Sequence, residues 1–161
     1  GVRPRVQFSG TTFDFGAVQV GQSRTQTVTV TNVGPAAFVA ALTGGAAGVF
    51  GGAQDCQSTT LVPGASCTFS YTFAPSAAGL VTENTSGTVN DVPFAFSFRG
   101  TGVAPQVRLS PTALDFGDVQ VGQSRTQTVT VTNVGPAAFV AALTGGAAGV
   151  FGGAQDCQST T

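Results

Sequence analysis

Val18-Gln19-Val20-Gly21-Gln22-Ser23-Arg24-Thr25-Gln26-Thr27-Val28-Thr29-Val30-Thr31-Asn32 opens a block, residues 18–60, that returns letter for letter as residues 119–161. The match extends upstream with drift. Pro4-Arg5-Val6-Gln7-Phe8-Ser9 answers to Pro105-Gln106-Val107-Arg108-Leu109-Ser110, and Phe13-Asp14-Phe15-Gly16 to Leu114-Asp115-Phe116-Gly117, all at an offset of 101. Self-similarity at a fixed period marks a repeated structural unit, and about 100 residues is the size of one two-sheet β-sandwich. The strand signal is strongest in residues 23–32. Thr25, Thr27, Thr29 and Thr31 share one face, Gln26, Val28 and Val30 the other, and β-branched residues on both faces favour strand over helix. Asn32-Val33-Gly34-Pro35 then ends the run with turn chemistry. The expected organisation is one full repeat, residues 1–102, and the first half of a second, residues 103–161.

Composition narrows the class. Charged residues are 8% of the chain, against roughly 25% in ordinary soluble domains. The six cations are all Arg, there is no Lys, His, Trp or Met, and the net charge is −1. The basic footprint of a nucleic-acid binder is missing, so no nucleic-acid partner is expected, and low charge near neutrality favours self-association. Hydrophobic residues at 42%, with thirteen Phe, provide enough apolar surface for a core and argue against disorder. The longest wholly apolar run, residues 36–42, falls far short of the ~20 needed to span a bilayer, so no membrane insertion is expected in this segment. The profile fits an extracellular structural protein better than a cytosolic enzyme. A start at Gly1 without a signal-peptide pattern reads as a mature product or a piece of something longer.

Outward from the Thr/Val block, the chain reads as strands and turns. Residues 5–8 form an opening strand, and residues 12–15 another, with Phe13 and Phe15 on one face. Gly16 and Gly21 bracket a turn. Residues 38–42 are expected as a strand and residues 43–52 as a Gly/Ala loop anchored by Val49 and Phe50. Val62-Pro63-Gly64 is a turn, after which Cys67, Phe69, Tyr71 and Phe73 alternate with Thr68, Ser70 and Thr72. Residues 80–89 form a weaker strand or a hairpin turning near Ser86-Gly87. Residues 92–99 put Phe94, Phe96 and Phe98 inward, and Gly100-Thr101-Gly102 leads into the next copy. Seven or so short strands with Gly/Pro punctuation and no helical period make an all-β sandwich. Its expected core is Phe15, Val28, Val30, Phe69, Tyr71, Phe96 and Phe98.

At these positions the chain resembles a known family. Val107-Arg108-Leu109-Ser110-Pro111, Leu114-Asp115-Phe116-Gly117, Val121-Gly122 and Val129-Thr130-Val131-Thr132-Asn133-Val134-Gly135 are similar to the opening of bacterial choice-of-anchor D repeats. Those repeats belong with the Hydin-type ASH domains, relatives of the major sperm protein fold. Leu61-Val62-Pro63-Gly64-Ala65-Ser66-Cys67, Phe73-Ala74-Pro75 and Arg99-Gly100-Thr101-Gly102 agree in the later half. The resemblance implies immunoglobulin-like sandwiches in tandem, in large bacterial surface proteins or, among eukaryotic relatives, ciliary scaffolds. It brings no catalytic residues. Repeats in the family usually drift, and the identity of neighbours here departs from that habit.

Cys56 and Cys67 flank the connection 57–66. A disulfide between them closes that loop; the alternative is two buried thiols, and a composition that points outside the cell favours the disulfide. Cys157 answers to Cys56, but the counterpart of Cys67 would fall beyond Thr161, so Cys157 is expected to lack a disulfide mate within this segment. Without His, three Cys match no zinc spacing, and Asp55, Glu83, Asp91 and Asp118 show no calcium-loop spacing. No metal or cofactor is expected. Asp14-Phe15-Gly16 and Asp115-Phe116-Gly117 spell the kinase magnesium triplet, but no other kinase motif accompanies them, and a strand end with an inward aromatic explains them. Residues 44–52 lack phosphate-loop spacing. Asn84-Thr85-Ser86 fits a glycosylation sequon, and Arg24 and Arg125 read as outward strand-end charges.

Two function classes follow. The first is a structural repeat segment of an extracellular or cell-surface fibre, stalk or matrix protein, bacterial on the resemblance, assembling head to tail with copies of itself or with adjacent repeats of the same parent chain. The alternative is an adhesin-type binding module gripping a glycan or protein through sandwich loops, with Phe38 and Phe50 the nearest candidate contacts although core packing suits them better. An enzyme is disfavoured, because no nucleophile–base pair is present. Residues 103–161 hold only opening strands, so their apolar face is expected to be completed from outside, by continuation of the array or by residues 61–102 of a neighbour.

Overall fold

Twelve strands, and no helix among the described residues, make up the protein. The structure is a computed structural model, and it describes residues 3–44, 48–142, 144 and 149–157. Two units divide the chain, Gly1–Val103 and Ala104–Thr161. The first contains β1 (Val6–Phe8), β2 (Thr12–Gln19), β3 (Arg24–Asn32), β4 (Phe38–Val39), β5 (Leu42–Gly44), β6 (Phe50–Gln54), β7 (Thr60–Leu61), β8 (Ser66–Phe73), β9 (Gly79–Val89) and β10 (Val92–Val103). One sheet has the order β1-β3-β8-β6 and the other β2-β10-β9-β5, with β4 and β7 as a separate pair. This is the immunoglobulin-like β-sandwich.

The period-two pattern accounts for the core. Val28 and Val30 of β3, Cys67, Phe69, Tyr71 and Phe73 of β8, and Phe94, Phe96 and Phe98 of β10 are all buried, as is Phe15 of β2. The aromatic rings mesh across the two sheets, Phe69 with Phe94 at 5.6 Å between centroids and Tyr71 with Phe98 at 4.5 Å, and within one sheet Phe13 stands edge-on to Phe96 at 5.7 Å. Each such pair contributes about 0.5–1.5 kcal/mol beyond its area burial.

Several boundaries differ from the sequence reading. Gly16 makes no turn: β2 runs through it, parallel to β10. Asp14 pairs with Arg99 and Ala17 with Thr101, so Phe15 and Gly16 together oppose Gly100. Gly16 absorbs this bulge at φ +66°, where a side chain would strain the backbone. The expected strand 38–42 is two strands separated at buried Ala40, β4 pairing with β7 and β5 with β9. The expected loop 43–52 holds the end of β5 and the start of β6, an edge strand on β8 that carries buried Phe50 inward. Gly45, Ala46 and Ala47 lie outside the described residues.

β9 is one unbroken strand, and its hairpin with β10 turns at Asn90-Asp91, both at positive φ. Gly87 is there for close approach: a Cβ on it would lie 2.0 Å from the Thr43 carbonyl oxygen of β5. The segment Gly100-Thr101-Gly102 is still strand, because β10 stays paired with both β2 and β9 as far as Gly102.

The second unit has β11 (Val107–Ser110) and β12 (Thr130–Asn133). Their register, Val107↔Asn133 to Ser110↔Thr130, repeats that of β1 on β3, Val6↔Asn32 to Phe8↔Val30. The counterparts of β2 and β6 are not strands here. β2 takes its ladder from β10, and β6 from β8; no stretch of residues 104–161 answers to β8 or β10. β12 accordingly keeps only the four residues that face β11.

Candidate interaction surface

A set of short-range latches is built identically in both units. Asp14 Oδ1 accepts from the Gly16 amide at 2.8 Å, and Asp115 Oδ1 from Gly117 at 2.9 Å. The Arg24 guanidinium donates to the Phe15 carbonyl, and Arg125 Nη1 to the Phe116 carbonyl at 2.6 Å. Gln26 Nε2 donates to the Asp14 carbonyl at 2.7 Å, and Gln127 Nε2 likewise to Asp115. The Asp-Phe-Gly triplets are thus local corners with the carboxylate engaged by backbone, and in the first unit the corner is the β2 bulge. Arg24 and Arg125 do more than project outward: Arg24 ties β3 to that corner, and Arg125 ties its own segment to the equivalent one.

Sequence reasoning read Asn32 as turn chemistry and missed its role. It is fully buried: its Nδ2 donates to the Ala36 carbonyl at 2.8 Å and the Leu61 carbonyl at 2.9 Å, and its Oδ1 accepts from the Gly34 amide at 2.9 Å. The available signal was an Asn closing an otherwise β-branched strand just before Gly-Pro. At the equivalent place Asn133 binds Ala137 and Gly135 and is exposed.

Cys56 and Cys67 are joined, with Cα atoms 5.1 Å apart. Beside them Asp55 Oδ1 accepts from the Thr68 amide at 2.5 Å. Asp55, Cys56 and Cys67 converge as a metal site might, but the bonded sulfurs offer no thiolate, so the set does not fit an ion. Cys157 sits half-buried, its Sγ 3.7 Å from Asp156 Oδ1. Phe38 packs on the core and Phe50 is inside it, so neither is displayed as a loop contact. A cleft of about 140 Å³ opens between β5 and β6, lined by Leu42, Phe69, Tyr71 and Phe94 among others, with no charged side chain in its lining. Burial pushes the Tyr71 phenol above its ordinary 10.0.

Most of the exposed large hydrophobic side chains among the described residues lie in the second unit. Val28 and Phe50 are 0% exposed and Phe13 7%, whereas their counterparts Val129, Phe151 and Leu114 are 39%, 56% and 38% exposed. Leu109 is 50% exposed. These side chains line a concavity of about 830 Å³ together with Phe116 and Val131. In the first unit this face is completed by β8 in one sheet and by β9 and β10 in the other, strands with no counterpart in residues 104–161.

Residues 4–100 match the HYDIN/CFA65/VesB-like, Ig-like domain family. The chain belongs to that family. A curated relative, cilia- and flagella-associated protein 74 of Chlamydomonas reinhardtii, is 33% identical over 129 residues; the match takes in 76% of this chain and 6% of that protein. Among solved structures, a Porphyromonas gingivalis W83 protein of unknown function is similar at TM-score 0.50 and 17% identity, over 62% of this chain and 47% of that one. The ASH/PapD-like domain 7 of human CEP192 is similar at TM-score 0.50 and 13% identity, over 63% of this chain and 87% of that one. These likenesses show an ASH-type immunoglobulin-like fold.

The family match corrects the expected location. An extracellular or bacterial surface setting is overturned by the curated relative, a ciliary and flagellar protein of a eukaryote. The expectation leaned on low charge and on the resemblance to bacterial surface repeats, and low charge does not encode a compartment. A β-sandwich can place two Cα atoms 5.1 Å apart wherever it folds.

Proposed function

We propose that this chain is a non-enzymatic structural module of a cilium- or flagellum-associated scaffold, one part of a linear array of immunoglobulin-like repeats that holds partners at fixed spacing. The observation that carries the reading is the letter-for-letter repeat of residues 18–60 as 119–161 within a family that includes ciliary proteins. Adjacent repeats of the same parent chain are its nearest partners. A rigid, aromatic-filled sandwich with few charges suits a spacer, and the latch residues are spent on backbone rather than held out for a ligand. Motif agreement with choice-of-anchor D repeats reflects the shared sandwich frame. The loop-gripping alternative is weaker because Phe38 and Phe50 pack inward.

Immunogold labelling of the native protein tests this. Gold along the cilium at regular spacing is expected. Labelling confined to the cell body or the outer surface, or selective binding on a glycan array, would count against it.

A further inference from the structure

We propose that the free edge of β6, with the cleft beside it, takes an extended, uncharged peptide strand from a partner protein and seats one Leu- or Phe-sized side chain of that strand in the cleft. The proposal stands on the first unit alone and holds whether or not the protein is ciliary. β6 and β5 are the last strands of their two sheets, and the cleft opens between them. β6 has the sequence Phe50-Gly51-Gly52-Ala53-Gln54. Side chains alternate across a strand, so positions 50, 52 and 54 share the inward face. Phe50 is sealed in the core, but Gly52, opposite Tyr71 in the ladder, has no side chain to follow it. The space beside Gly52 is about 140 Å³, close to what holds one benzene ring.

The main chain of β6 is open along the same side. The Asp55 amide donates to the Thr68 carbonyl, which extends the β6–β8 ladder by one residue and fixes its phase. Bonded and unbonded pairs alternate in an antiparallel ladder, so Gly51 and Ala53 turn their main-chain groups to β8. Gly52 and Gln54 turn theirs to the free edge. β6 has no Pro and no charged residue, and its register on β8 runs without a bulge, so the usual guards of an edge strand are missing. The cleft itself selects the guest. Its lining carries no charged side chain, and Gln54 Oε1 already accepts from the Gln57 amide at 2.7 Å. Tyr71 lines the cleft and is 5% exposed, and no hydrogen bond joins its hydroxyl to another described residue. A strand answers every one of these features: main-chain groups for the edge, an apolar side chain for the cleft and a peptide carbonyl for the phenol. A free hydrocarbon would fill the cleft and leave the edge and the phenol unmet.

Tyr71 is the one tyrosine of a chain that has no Trp, so its fluorescence reads the site directly. The experiment titrates the full 161-residue chain with capped pentapeptides Ser-Thr-Xaa-Thr-Ser, Xaa being Phe, Leu, Gly or Glu, and with toluene. Sedimentation of the chain alone accompanies it. The Phe and Leu peptides should change the Tyr71 signal saturably and bind at least about tenfold tighter than the Gly peptide, with the Glu peptide no tighter than Gly. Gly52→Val, which fills the cleft, should weaken the Phe peptide by about tenfold or more. Gly52→Pro removes an edge amide without touching the β8 ladder and should weaken it by about fivefold or more. Circular dichroism checks that each variant keeps the parent fold; where one does not, the peptide series and the other variant decide.

Any of the following overturns the proposal: no peptide changes the signal, the Gly and Phe peptides bind alike, or a folded Gly52→Pro variant binds the Phe peptide as the parent does. Toluene binding as tightly as the Phe peptide would make the cleft a small-molecule site. A dimer of the chain that Gly52→Pro dissociates would make a second copy the occupant, and either result removes the partner strand.

Discussion

Asn32 and Asn133 are the same letter in the same local motif, and their energetic weights differ because only Asn32 is buried. Replacing Asn32 with Ala strands the Leu61 carbonyl and the Gly34 amide in the buried interior and releases the part-buried Ala36 carbonyl. Asn32→Ala should lower the urea-unfolding free energy by about 3 kcal/mol. Asn133→Ala, at an exposed site, should stay within about 0.5 kcal/mol; equal losses would show that both are buried. Tyr71 sets an alkaline limit. Its phenol is raised above 10.0 by burial, so the unfolded chain releases that proton first. The contribution is fully present below about pH 10 and is lost as pH rises from the unfolded value through the folded one. Urea midpoints between pH 9 and 11 should fall more steeply for the parent than for Tyr71→Phe, and parallel curves would remove Tyr71 from the account.

Among the elements, the β6–β7–β8 connection is the one held covalently. The Cys56–Cys67 bond closes a loop of sequence separation 11, which on the chain-entropy estimate stabilises the fold by about 2.8 kcal/mol. A Cys56→Ala, Cys67→Ala double variant should unfold at a urea midpoint lower by that free energy. Non-reducing peptide mapping of the parent should recover the two cysteines linked; alkylation of both in the native protein would refute the pairing. β3, β8 and the Phe94/Phe96/Phe98 face of β10 were legible from alternation alone, since each is a long strand with one apolar face. β6 and the division of 38–42 into β4 and β5 were not. Gly51-Gly52-Ala53 has no side-chain pattern to read, and its strand identity comes from lying on β8. Residues 80–89 read equally as one strand, which they are, or as a hairpin turning near Ser86-Gly87, because a glycine required for close approach looks, in sequence, like a glycine required for a turn.

For the whole molecule, the two units predict an uneven melt. Near 60 °C unfolding takes up about 0.7 kcal/mol per residue, so roughly 100 cooperatively folded residues give about 70 kcal/mol and the full chain would give about 110 kcal/mol. Calorimetry should find a value near the lower figure, since unit 2 has a single four-residue ladder; a value near the higher one would mean that unit 2 folds cooperatively by itself. The sequence alone determined what depends on neighbours in the chain: strand periodicity, the Asp-Phe-Gly corner with its Arg and Gln latches, the Asn-Val-Gly-Pro turn, and the sandwich class. The corner with its latches and the turn recur in both copies because their partners lie within about a dozen residues. Only the tertiary structure decided which residues become core. Val28 and Val129 sit in identical sequence, yet Val28 is sealed and Val129 is 39% exposed. A strand's burial and most of its ladder come from segments distant in the chain, and residues 61–102 provide them to one copy alone.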